Sequence, residues 1–355
     1  MTPQPAERVV FLDYLRVIAC FMVIIVHSCE FYYCGHEVVM FAIPSDRFWV
    51  SLIDSGLRES VPLFIMASSY LLLPLHTSTS RFFKRRFVRV FIPFAVWSLF
   101  YAVVPVFAGL VDSDISERLT RLLYNFNGDS GHLWFIYMLI GVYLTMPVIS
   151  PWLEKVSKRG EQMFLVIWFF TTFWNYLTPW LGEIWGSAIW NDFHTLYYFS
   201  GFIGYVVLAH YIRTYVNWSL SRTLWVSVPL ILVGYAVAAI VFYYNTASIT
   251  DYATAEQSWG FCTFNVAMMT AGCFLLIKKI NCTSPWIYKP VLWISRQSYG
   301  IYLMHIFFLG IVYNLLAPHL STHAAIFSVG TVTFIVCCIT CKLLSYIPGS
   351  RYIIG

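Results

Sequence analysis

Phe11-Leu-Asp13-Tyr-Leu-Arg16-Val-Ile-Ala-Cys-Phe-Met-Val-Ile-Ile-Val-His27 is apolar enough to lie in a bilayer, yet it carries a carboxylate, a guanidinium and an imidazole. Arg or Asp at the centre of a spanning helix costs about 2.5–3.5 kcal/mol, so residues of this kind mark a substrate path or a site. Eleven residues separate Arg16 from His27. On a helix that spacing returns to within about 20° of one face, about 16 Å further along the axis. Asp13, at i−3, is placed to pair with Arg16. Two readings stay open for the stretch alone. Either one face of a helix carries a site, or Asp13 and Arg16 snorkel at one interface while His27 caps the other end in headgroups.

Outward from this stretch the apolar runs never stop. Of 355 residues 59% are hydrophobic and 11% charged, which excludes an ordinary soluble domain and predicts a polytopic all-α membrane protein. Runs near twenty residues long are expected to span, about ten of them: 9–30, 48–73, 87–111, 132–150, 161–179, 194–212, 222–244, 258–278, 294–316 and 324–345. The charges orient them. Loops on one side hold Arg8, Arg81, Lys84, Arg85, Arg86, Arg89, Lys155, Lys158, Arg159, Arg213, Arg222, Lys278, Lys279, Lys289, Arg296, Lys342 and Arg351. The other side keeps Arg47, Arg58, Arg118 and Arg121, with thirteen of the seventeen acids. The positive-inside rule then predicts both termini in the cytoplasm. The net charge of +5 is a topology signal and implies no nucleic acid.

No linker or low-complexity tract interrupts residues 1–355, so one transmembrane domain with no separate soluble domain is expected. The first run does not read as a cleavable signal peptide, since Asp13 and Arg16 interrupt it and no small-x-small site follows. The nine cysteines form no metal pattern; Cys337, Cys338 and Cys341 read as packing, and Cys29 and Cys34 as free thiols or an outer-loop disulfide.

Other polar residues interrupt the runs. Asp54 and Arg58 have the i, i+4 spacing of an intrahelical pair, just before Val61-Pro62. Lys84, Arg85, Arg86 and Arg89 serve either topology and lipid binding or a phosphate cradle built from guanidinium forks. Six tryptophans between Trp152 and Trp190 form either an interfacial belt or a platform on which sugar rings stack. His132 and Trp134 open the fourth run from outside. Ser298, Tyr302 and His305 at i, i+4 and i+7 make a polar stripe on the ninth, as helix glue or pocket lining.

The residues together resemble the acyltransferase-3 family of membrane proteins. The likeness rests on Asp13-x-x-Arg16 with His27, on Ser60-Val-Pro-Leu-Phe-Ile-Met-Ala-Ser-Ser-Tyr-Leu-Leu72, and on Arg85-Arg86-x-x-Arg89-x-x-x-Pro93. It continues in Gly131-His-Leu-Trp-Phe135 and Ser298-Tyr-Gly-Ile-Tyr-Leu-Met-His305, in the family's order from about residue 8 to about 345. Ser68-Ser69 stands where the family usually has Ser-Gly, a departure bearing on the shape of the cavity near that turn. The resemblance implies transfer of an acyl group, acetyl above all, from a coenzyme A thioester to a sugar hydroxyl of a surface polysaccharide or its lipid-linked precursor. It implies residence in the cell inner membrane among its lipids and no permanently bound cofactor or metal, with acetyl-CoA or another acyl-CoA as donor substrate.

Roles follow from the chemistry of acyl transfer, which needs a base for the hydroxyl proton and a donor-rich site for the oxyanion. His27 is the expected base, and Arg16, held by Asp13, binds donor phosphate or orients the thioester. Arg85, Arg86 and Arg89 take the donor's phosphates. His132, Trp134, Arg58, Ser298, Tyr302 and His305 line the pocket or hold the acceptor, with His132 or Tyr302 as oxyanion donor; a covalent acyl-His or acyl-Tyr relay stays open. By helical rise Arg16 lies about 10 Å and His27 about 27 Å into a core about 30 Å thick, so donor and acceptor are expected from opposite faces. The rival is a transporter or flippase for a glycan or small polar solute, although no inverted repeat is visible.

Overall fold

A computed structural model describes residues 8–34 and 37–355. In chain order its helices are α1 (Val10–Glu30), α2 (Pro44–Ser55), α3 (Ser60–Leu72), α4 (Thr79–Arg86), α5 (Ile92–Phe107), α6 (Ile115–Arg121), α7 (Trp134–Lys155) and α8 (Lys158–Thr171). They continue as α9 (Trp174–Leu181), α10 (Ile203–Tyr215), α11 (Leu220–Asn245), α12 (Tyr252–Ala255), α13 (Phe264–Ile277), α14 (Pro285–Leu316), α15 (Thr322–Leu344) and α16 (Arg351–Ile354). The described residues contain no strand beyond two isolated bridges, Val39 with Thr250 and Ala188 with Asn191.

Each of the ten expected runs carries helix, but six candidate spans are long and apolar enough among the described residues. These are Val10–Glu30, Thr79–Phe107, Gly128–Lys155, Leu220–Asn245, Pro285–His319 and Thr322–Leu344. The run 48–73 is split into α2 and α3 by a turn at 56–59. Pro62 explains the split: it offers no N–H, and its ring crowds the carbonyl four residues back, that of Arg58. The run 161–179 likewise divides into α8 and α9, while 194–212 and 258–278 shrink to the short helices α10 and α13.

The helices form two compact units. The first comprises residues up to Leu71 together with Val156–Arg296, and the second Leu72–Lys155 with Gln297–Gly355. In the first, α1 carries Asp13 in its opening turn, the sign that the helix dipole favours there, and His27 in its last. The chain turns after Glu30, whose carbonyl accepts from Tyr33 N (3.2 Å) and Cys34 N (2.8 Å). Helices α11 and α13 meet through glycines. A methyl on Gly234 would stand 2.4 Å from the Asn265 carbonyl oxygen, and one on Gly272 2.8 Å from that of Ser227. Close backbone approach of this kind is how helices associate where burial from water supplies no drive.

In the second unit, the basic turn continues from α4 into α5 through a π-helical turn, Phe87–Phe91, ahead of Pro93. Such turns accommodate a missing amide donor and recur at functional sites. Tyr299 Oη donates to the Val90 carbonyl at 2.7 Å and Trp97 Nε1 to that of Ile353 at 2.9 Å, which ties α14, α5 and α16 together.

Candidate functional site

The Arg8 end of α1 is built around Asp13, 1% exposed. Its Oδ2 accepts from Arg8 Nε (2.7 Å) and Tyr288 Oη (2.8 Å), and its Oδ1 from Arg8 Nη2 (2.8 Å) and Ser295 Oγ (2.7 Å). Arg16, the partner expected from spacing, stands with Nη1 at 4.0 Å from Oδ1. Fork geometry decides this, because Arg8 engages both oxygens and a bidentate pair outweighs a single long contact. The hydrogen bond to Asp13 raises the Arg8 guanidinium above its ordinary value. Asp13 therefore locks the entry of α1 to α14 in the first unit, and Arg16 sits half-buried beside it.

The other end of α1 carries His27, whose Nδ1 lies 2.8 Å from Glu30 Oε2. An ionised carboxylate can only accept, so a neutral imidazole in this pair keeps its proton on Nδ1 and leaves Nε2 unprotonated. This is the arrangement of a base held by an orienting acid. Glu30 stands at i+3 from His27, a helix-neighbour spacing, and that spacing is the signal by which the sequence alone could have found it.

Beside this end lies a buried polar cluster. Arg58 Nε stands 2.6 Å from Asp54 Oδ1, and its Nη2 donates to Asp54 Oδ2 at 2.7 Å and to Tyr33 Oη at 3.3 Å. The guanidinium lies 4.0 Å over the Trp259 ring, whose Nε1 donates to Ser55 Oγ at 2.7 Å. The pair expected from the i, i+4 spacing is thus formed, and a cation–π contact adds to it. Tyr33 in turn donates to Glu256 Oε1 at 3.1 Å. Burial holds the Tyr33 phenol well above its usual range, so it remains a donor. Glu59, also buried, accepts from the Cys273 thiol at 3.3 Å. The extra hydroxyl of Ser69 turns back onto the Ile65 carbonyl of its own helix at 2.8 Å, so it closes on α3 itself. Cys29 and Cys34 are both free thiols.

The second unit holds a separate cluster. His132, Tyr302 and His305 are buried together, with the His132 ring 5.2 Å from that of His305 and 5.1 Å from that of Tyr101. Tyr302 Oη donates to the His132 backbone carbonyl, and His305 Nδ1 faces the Tyr302 carbonyl. The Tyr302 hydroxyl is therefore occupied in positioning His132. Ser298 is buried one turn earlier on α14, and the Trp134 ring packs edge-on to Phe135, 6.3 Å away.

The segment leading to His132 is clamped by a pair that sequence reasoning missed. Buried Arg118 donates to Asp129 at 2.7 and 2.8 Å and to the Tyr101 and Ala102 carbonyls at 2.7 and 2.9 Å. Among the three basic candidates, Arg85 and Arg89 are exposed, whereas Arg86 is half-buried over the rings of Phe82 and Tyr143. The structure thus groups Asp13, Arg16, His27 and Arg58 in the first unit, and the remaining candidates in the second.

Comparison with known proteins bears on what these groups do. The family model described as an acyltransferase domain matches residues 9–342. No curated protein and no solved structure matches the chain. With its apolar helices, the match makes the chain a multi-pass membrane protein and an acyltransferase.

Proposed function

We propose that this chain, which belongs to the acyltransferase-3 family, is an O-acetyltransferase that moves acetyl from coenzyme A to a sugar hydroxyl of an envelope polysaccharide or its lipid-linked precursor. The observation that carries the reading is the His27–Glu30 dyad at one end of α1. His27 Nε2 takes the proton of the sugar hydroxyl as its oxygen attacks the thioester carbonyl. The carbon–sulfur bond then breaks, and the imidazolium returns the proton to the departing thiolate. Sugar ester and free coenzyme A result, and no further reactant is needed.

Arg85, Arg86 and Arg89 are the groups to which we assign the donor's phosphates, since guanidinium forks match phosphate oxygens bidentately. Arg16 orients the donor. We assign the oxyanion to His132, positioned by Tyr302 and by the Arg118–Asp129 clamp, and His305, whose Nδ1 faces the Tyr302 carbonyl, lines the pocket beside it. Trp134 and Ser298 line the same cluster, and Arg58 steadies the acceptor side. The chain resides in the cell inner membrane, with ten helical passes, cytoplasmic termini, the donor drawn from the cytoplasm and the acceptor from the other face. Four of those passes are made by the short or broken helices, whose polar turns then lie within the membrane and lined by protein.

Purified protein given radiolabelled acetyl-CoA and total envelope glycan tests the activity. Label entering glycan with wild type and not with His27→Ala is the expected result. Label remaining wholly in coenzyme A with wild type overturns it.

A further inference from the structure

A cleft of about 840 Å³ opens in the first unit. It is lined by Asn175, Thr178 and Trp180 of α9, by Tyr252 and Thr254 of α12, and by Glu256 and Gln257, with the remaining lining from Pro179 and Ala253. The volume is that of a small-molecule site. The cleft presents one indole 87% exposed, a phenol, two planar amides, two hydroxyls and a carboxylate. Such a set offers an apolar plate for the face of a pyranose ring, with paired donors and acceptors for the hydroxyls around its rim.

The walls are fixed in advance. Gln257 Nε2 donates to the Asn175 carbonyl at 2.8 Å, which ties α9 to the α12 segment. Asn245 Nδ2, at the end of α11, donates to the Thr254 carbonyl at 2.7 Å, and Asp251 caps the Thr254 amide at 2.9 Å. A pre-built wall spares the ligand the cost of ordering it.

The cleft is also wired to the dyad. Glu256 on its wall accepts from Tyr33 Oη, Tyr33 N donates to the Glu30 carbonyl at 3.2 Å just past the end of α1, and Glu30 Oε2 faces His27 Nδ1 at 2.8 Å. The same Tyr33 hydroxyl accepts from Arg58, the cation at the centre of the buried cluster. A chain of contacts therefore runs from the cleft to the residue pair that holds the base.

We infer that this cleft seats the saccharide acceptor, with Trp180 as the stacking plate and Asn175, Glu256 and Gln257 as readers of ring hydroxyls. The inference rests on the reading of the chain as a sugar O-acyltransferase and adds where the sugar is bound. Tyr33, Arg58 and Glu256 act as positioning residues, carrying the cleft wall to the His27 end of α1.

The probe is the oligosaccharide mixture released by mild acid from the source cell's own envelope glycan, added to the full chain in detergent. Two measurements are made on wild type, Trp180→Ala, Trp180→Phe and Gln257→Ala. One is transfer of label from acetyl-CoA as each substrate is varied; the other is indole emission on titration with the oligosaccharides. For Trp180→Ala the glycan concentration at half-saturation rises about tenfold or more, the change that about 1.4 kcal/mol of binding produces. That for acetyl-CoA stays within about twofold, well inside the same tenfold scale. Trp180→Phe recovers most of the loss because it keeps an aromatic face. The wild-type emission shifts with added oligosaccharide and the shift is absent from Trp180→Phe.

No emission shift at saturating oligosaccharide, or unchanged glycan half-saturation in both Trp180→Ala and Gln257→Ala, overturns the assignment and leaves acyl transfer standing. An emission shift lost in Trp180→Phe, with no transfer by wild type, supports the cleft and removes the acyltransferase reading instead. Quenching of Trp180 by brominated lipid and not by saccharide makes the indole a membrane anchor and refutes the proposal.

Discussion

Replacing Glu30 by glutamine tests the dyad with the smallest change of shape. The wild-type carboxylate accepts from His27 Nδ1 at 2.8 Å, and the Glu30 side chain is 35% exposed against 15% for His27. A hydrogen bond to a charged group is worth about 1.5–3 kcal/mol, or about 10- to 150-fold in rate if it acts only as the proton is taken up. The amide introduced by Glu30→Gln could also present its NH₂ to Nδ1, which would put the ring proton on Nε2 and block the base. The expected loss in maximal rate is therefore about 10- to 100-fold for Glu30→Gln, against about 10²- to 10⁴-fold for His27→Ala. The decisive measurement is the double variant. If Glu30 acts through His27, then His27→Ala with Glu30→Gln is no slower than His27→Ala alone, because groups acting as a unit are not additive. Initial rates of label transfer in proteoliposomes, normalised to inserted protein, give all four corners of the cycle. A double variant slower than His27→Ala by the full Glu30→Gln factor would refute the coupling, and a wild-type rate in Glu30→Gln would remove the dyad.

Other perturbations separate architecture from chemistry. Arg58→Ala strands the buried Asp54 and is expected to cost about 3–5 kcal/mol, read as a fall in the thermal midpoint, while Arg58→Met with Asp54→Leu recovers much of it. Asp13→Asn should lower the thermal midpoint, whereas Arg16→Lys keeps the midpoint and loses activity; a full-rate Arg16→Lys would argue that the fork is not needed. Single Arg85→Ala, Arg86→Ala and Arg89→Ala changes should raise the half-saturating acetyl-CoA concentration by about tenfold each with little effect on that for glycan, as loss of a charge-assisted hydrogen bond predicts. In sealed vesicles of known orientation, donor is expected to work only from the cytoplasmic face and glycan only from the other; transfer with both confined to the cytoplasmic face would contradict the two-sided arrangement.

The sequence alone determined whatever depends on local spacing and on the cost of charge in an apolar helix. The helix over Phe11 to His27 could be read from its apolar run, with Asp13, Arg16 and His27 as costly residues within it, and the Asp54–Arg58 pair could be read from its i, i+4 step. The family could be read from motifs strung in order along nearly the whole chain, and the match over residues 9–342 agrees. Lengths of helix were less legible, since an apolar run such as 48–73 looks continuous until the ring of Pro62 meets the turn before it. Partners chosen across the fold were not legible at all. Asp13 takes Arg8, Tyr288 and Ser295, and two of those three lie 275 and 282 residues further along. Tyr33 reaches Glu256 across 223 residues, so the link from cleft to dyad has no trace in local pattern. A helix fixes which residues share a face, but which of them finds a bond is settled by the donors and acceptors that packing brings within about 3 Å of that face, and that choice belongs to the tertiary structure.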